Sequence, residues 1–182
     1  MQRHADLMAR QRNFVTEFMA SGTDPRSLRK MTIPASGGSG DQSLKTTADR
    51  ANLIAIGTVE SVQYRSEELS PISEANVRLR EVLKGASDSP LIVVTQIGGP
   101  VLSTAGPVLM QTSRDEVLLP GDEVLLMLVR SSDGRNSALG GVGIVFFSNG
   151  LARPEASSPL ASQIEGKRQT DVIVQVKSAI TR

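Results

Sequence analysis

The stretch Ala51-Asn-Leu-Ile-Ala-Ile-Gly-Thr-Val-Glu-Ser-Val62 constrains the fold more than any other segment. Leu53, Ile54, Ala55 and Ile56 form a continuous apolar run, Gly57 interrupts it, and the pattern then turns polar. A strand with one wet face alternates apolar and polar residues. An unbroken run therefore requires burial on both faces, or a strand bent sharply enough to serve two parts of one sheet. A glycine inside such a strand permits a bulge or tight bend, as at a barrel corner.

Further strand signals follow. "ANVRLREVLKG" alternates Val77, Leu79 and, after a shift, Val82 with Arg78, Arg80 and Lys84, which predicts one wet face. "LIVVTQI" at 91–97 is rich in β-branched residues and stops at "GGP", and "PVLMQT" is a weaker strand because of its proline. "PGDE" at 120–123 is a turn leading into "VLLMLVR", and Asn149-Gly150 suits a type I′ hairpin turn. Near the C-terminus Val172, Val176 and Ile180, with Ile173 on the flank, fit one face of a helix capped by Thr170. Ser43 is placed to cap a short helix before the first strand. With aromatics at 3%, the core must be built from Val, Leu and Ile. The expected class is mainly β: an OB-like small β-barrel with an amphipathic N-terminal helix and a C-terminal helix. A two-sheet sandwich is the competing arrangement.

The chain divides near residue 40. Residues 1–42 are expected to hold the N-terminal helix and a linker, with "RSLRKMTIP" basic and "ASGGSGD" flexible by composition. Residues 43–182 are expected to form the barrel domain. The helical stripe comprises Leu7, Met8, Phe14, Val15, Phe18 and Met19, with Gln11 completing it. These six residues are the candidate partner-binding set. Two readings of the stripe stand: a lid on its own barrel, or helix-in-groove binding to another protein. On the second reading, removal of residues 1–36 leaves a folded barrel that no longer binds.

The opening "ADRANLIAIGTV", the Val-Leu-Lys-Gly at 82–85 and the Pro-Gly-Asp-Glu turn at 120–123 follow one another in a familiar order. Over residues 43–150 the chain resembles the OB-fold module of netrin-like domains and tissue inhibitors of metalloproteinases. It resembles uncharacterised bacterial domains of that general shape more closely still. The resemblance implies a barrel that binds other proteins. Inhibition of metalloproteinases is not implied, because those inhibitors chelate zinc through an N-terminal cysteine and this chain has no cysteine.

Catalytic chemistry finds little material. His4 is the only histidine and sits near the terminus, where a triad base would lack rigid support. One histidine and no cysteine leave only carboxylates for a metal. The adjacent acids Glu67-Glu68, Asp115-Glu116 and Asp122-Glu123 are expected in solvated turns, although a loose calcium contact near Asp115, Glu116 and Asp122 is conceivable. "GGVG" at 140–143 leads into a strand and lacks the lysine of a phosphate loop. No catalytic, cofactor-binding or metal residue is therefore assigned. Net charge is +1, so no general field attracts a polyanion or a membrane. No apolar run is long enough to span a bilayer. Charges occupy the place of a signal peptide's apolar region, so either the chain stays inside the cell or Met1 is a processed or recloned start; the compartment stays open, since the resemblance is compatible with the cell envelope or the outside. The expected function is a non-enzymatic protein-binding or assembly subunit. The alternative is a single-stranded nucleic-acid binder built on Tyr64, Arg65, Arg78, Arg80 and Lys84.

Overall fold

In a computed structural model, residues 2–34, 43–67, 70–132, 134–154 and 158–181 are described. The linker read at "ASGGSGD" and residue Glu68 lie outside them. Helix α1 (Gln2–Ser21) leads through a 3-10 turn at Pro25–Ser27 to strand β1 (Arg29–Ile33) and, further on, to helix α2 (Leu44–Arg50). Then come β2 (Leu53–Glu67), β3 (Ser70–Lys84), β4 (Leu91–Ile97), β5 (Gly99–Ser103), β6 (Gly106–Thr112), β7 (Glu123–Arg130) and β8 (Asn136–Ala138). The hairpin β9 (Ile144–Ser148)–β10 (Leu151–Pro154), the short helix α3 (Ala161–Ile164) and helix α4 (Gln169–Ile180) complete the chain.

Strands β7, β2, β3, β4 and β8 are neighbours in that order, and β8 returns to β7, so five strands close into a small barrel. All pairs are antiparallel except β4–β8, which is parallel and consists of the single pair Val94↔Asn136. Strand β9 adds outside the ring on β7 and carries β10. A separate sheet has the order β1-β6-β5, with β1 parallel to β6. The "PVLMQT" strand thus joins this second sheet rather than the barrel.

The apolar run of β2 is buried on both faces, and so is that of β7. Leu53, Ala55 and Val59 point into the barrel with Val124, Leu126 and Leu128. Ile54 and Ile56 point outward with Leu125 and Met127, into a second core covered by α2, α4 and the β9–β10 hairpin. Each large side chain buried this way contributes about 1.5–3 kcal/mol. Two apolar layers share these two runs, which is why the runs lack a polar face.

Gly57 sits where the β2–β3 register slips, between Ile56 and Gly57, with further shifts at Ile54/Ala55 and Val59/Ser61. A Cβ there would lie 2.5 Å from the Arg78 carbonyl oxygen and 2.8 Å from Val77 Cγ1. The glycine therefore permits close approach of the neighbouring backbone at a bulge. The β9–β10 turn is formed by Asn149 at φ 51° and Gly150 at φ 75°, as the Asn-Gly pair requires.

Ser43 caps α2, its hydroxyl accepting from the Thr46 amide at 3.2 Å. Helix α4 buries Val172 and Val176, but its N-cap residue is Arg168, without a side-chain cap, rather than Thr170. Val82, paired with Ala55, is nonetheless exposed, and its neighbour Leu83, the extra residue at the Ile54/Ala55 shift, packs on the outer core.

Candidate functional site

Helix α1 lies on its own barrel through part of its stripe. Val15 and Phe18 are buried in the barrel core, and Phe14 packs against them half-buried. The Phe18 ring meets Tyr64 edge-on at 6.3 Å and Phe14 at 6.0 Å. Gln11 bonds the edge of β5, its Oε1 accepting from the Leu102 amide (3.0 Å) and its Nε2 donating to the Pro100 carbonyl (3.3 Å). Met8 is half-buried, whereas Leu7 is 50% and Met19 41% exposed. The six stripe residues are therefore divided between a core and a surface.

The segment after α1 is also fixed to the barrel. Arg26 donates to Asp122 at 2.8 Å, and Lys30, on β1, pairs with Glu116 at 2.5 Å. Arg153, on β10, holds the other Glu116 oxygen at 2.7 Å while lying 4.6 Å above the Phe146 ring. Burial pushes the Glu116 carboxyl up, but hydrogen bonds from Lys30 and Arg153 outweigh it and hold the group below the ordinary carboxylate range. A depressed folded-state value contributes stability above the unfolded-state value, lost as pH falls through the folded one. Urea midpoints of wild type and Glu116→Gln are accordingly expected to differ most near pH 6 and to converge as the pH approaches 3.

Asp115, Glu116, Asp122 and Glu123 are engaged in hydrogen bonds or ion pairs, while the side chains of the Glu67-Glu68 pair lie outside the described residues. Asp115 accepts from the Gly141 amide at 3.1 Å, and its carboxyl is pushed up by burial. Asp122 accepts from the Leu119 amide at 2.8 Å, closing the Pro-Gly-Asp-Glu turn. Among the described residues, no group of three or more His, Cys, Asp or Glu is placed to hold a metal ion. A pocket of about 350 Å³ between the end of α1 and the barrel is lined by Phe18, Met19, Arg26, Val62, Tyr64 and Pro120. The Tyr64 hydroxyl is sealed beside it with no hydrogen-bond partner among the described residues, and burial pushes its pKa well up.

The residues read as a nucleic-acid set are engaged elsewhere. Arg65 pairs with Glu74 at 2.9 Å, Arg78 with Glu60, and Arg80 with Glu123 at 2.8 Å. Lys84 donates to the Ala48 carbonyl at 2.6 Å. Phe18, Tyr64, Phe146 and Phe147 are buried and Phe14 is half-buried, so none of the five aromatics offers an exposed ring for a base.

The barrel's outward apolar surface lies on β4. Its burial alternates strictly: Ile92, Val94 and Gln96 point inward, and Leu91, Val93, Thr95 and Ile97 outward. Leu91 is 37%, Val93 44% and Ile97 53% exposed. The facing positions on β3 are Arg78, Asn76, Glu74 and Ile72. Gln96, also missed in the sequence, is buried and binds the chain before β7. Its Nε2 donates to the Glu116 carbonyl and its Oε1 accepts from the Leu118 amide, each at 3.0 Å. The missed signal for the row was present: four outward positions of "LIVVTQI" carry no charge, although the strand beside it alternates with arginines.

No family model matches the chain, and neither does any curated protein.

Proposed function

We propose that this chain is a non-enzymatic protein-binding module in which the barrel is the scaffold. One observation carries the reading: three large aliphatic residues, Leu91, Val93 and Ile97, stand exposed in a single row on β4. Single exposed apolar residues are ordinary, but several on one face of one strand are characteristic of an interaction surface. Of the two readings of the helix stripe, the lid is the one adopted. Val15 and Phe18 are occupied by the barrel, so of the six stripe residues α1 offers a partner Leu7, Met19 and the half-buried Met8 and Phe14.

The test is native co-purification from the source cell with wild type, Val93→Glu and Leu7→Glu/Met19→Glu. All substituted positions are exposed, so the variants should fold alike. The expected result is a protein that co-purifies with wild type and with the helix variant and is lost with Val93→Glu. A partner retained by Val93→Glu and lost with the helix variant would move the interface to α1. Capture of oligonucleotide in place of protein would refute the reading.

A further inference from the structure

Beside the β4 row lies a groove of about 380 Å³ bounded by the turn before β4 and by the β7–β8 connection. Leu91, Val93 and Thr95 form its apolar floor, and the acids Glu74 and Asp88 and the cations Arg130 and Arg135 also line it. We propose that this groove binds an extended peptide segment of a partner protein, with aliphatic side chains at alternate positions and one acidic side chain for Arg130. The inference rests on the protein-binding reading above and names the occupant of that surface.

Three observations converge on this occupant. The floor repeats every second residue, so its side chains recur about 7 Å apart, which is the spacing of a ligand that is itself a strand. The barrel is weakest here: β4 and β8 share one residue pair, supplemented by Asn136 Nδ2 donating to the Val93 carbonyl at 3.2 Å. An added segment thus meets a strand border that few protein hydrogen bonds occupy. The charges are complementary to such a ligand. The guanidinium of Arg130 is exposed and has no ionic partner among the described residues, unlike Arg65, Arg78 and Arg80. Asp88, exposed in the same lining, disfavours a second acid beside it. Nucleic acid would meet Asp88 and Glu74 beside Arg130 and Arg135 in the lining, and no exposed ring.

The experiment pans a displayed library of random octapeptides on the full chain, then measures the enriched peptides by fluorescence anisotropy. The expected consensus has aliphatic residues at i and i+2 with one Asp or Glu. Val93→Glu should weaken binding about tenfold or more, and Arg130→Glu about tenfold, the latter reversed when the peptide's acid is replaced by lysine. Unchanged thermal melts confirm that both variants fold. No enriched peptide, or enriched peptides indifferent to both variants, would overturn the inference. So would a wild-type dimer, seen by light scattering, that Val93→Glu dissociates, or displacement of the peptides by oligo-dT. If Val93→Glu releases a co-purifying protein while the library yields no peptide, the protein-binding reading survives and the extended segment does not.

Discussion

Gly57→Ala is expected to destabilise the protein by about 3 kcal/mol, at the upper end of the cost of overfilling a packed core. The added methyl would sit 2.5 Å from the Arg78 carbonyl oxygen, which is backbone in the adjoining strand and cannot swing away. Relief requires β3 to move, and β3 is paired on its other border with β4. Gly57→Val, with two more carbons, should leave little folded protein. Gly150→Ala is the control: nothing lies within 4 Å of its added Cβ, and its cost comes only from a φ of 75°, about 1 kcal/mol. Urea denaturation of the two alanine variants reads the contrast. Equal losses would mean that β2 is not pinned at a bulge.

Phe18→Ala is expected to cost about 3 kcal/mol, the lower end for truncating a buried phenylalanine, because α1 can settle partly into the vacated space. Phe18 touches Tyr64 on the barrel side and Phe14 on the helix side, so its loss loosens both contacts. Leu7→Ala, on the same helix but half exposed, should change stability by less than about 0.5 kcal/mol. Denaturant midpoints give the magnitudes. Phe18→Ala with an unchanged midpoint would show that α1 is not part of the folded unit.

Much of the barrel was legible because its strands announce themselves locally. The β-branched run of β4, the aliphatic run of β7 and the Asn-Gly turn of β9–β10 need no distant partner to be recognised. Helix α4 was legible from Val172 and Val176. Strands β1 and β5 were not. β1 holds only Met31 and Ile33 as large apolar residues, and it becomes a strand by pairing in parallel with β6, nearly eighty positions away. β5 is five residues with a proline and gains its other border from Gln11 of α1. The exposure of Val82, which pairs with Ala55, is not revealed by alternation.

The exposed row of β4 was hidden for a related reason. The apolar runs of β2, β4 and β7 look alike, yet those of β2 and β7 are covered outside by α2, α4 and the β9–β10 hairpin, while the outward row of β4 receives no layer from the described residues. Which apolar strand goes uncovered is a property of the assembled chain. The helix poses the converse case: its period marks an apolar face, but not whether that face meets its own barrel or another molecule.

Hydrogen exchange of the protein alone and with its co-purifying partner is the most direct measurement. The expected result is strong protection of amides 14–18 of α1 already in the free protein, with new protection on binding confined to 91–97, 130–132 and 134–136. Free exchange of α1 before binding, followed by protection of α1 and none of β4, would contradict it.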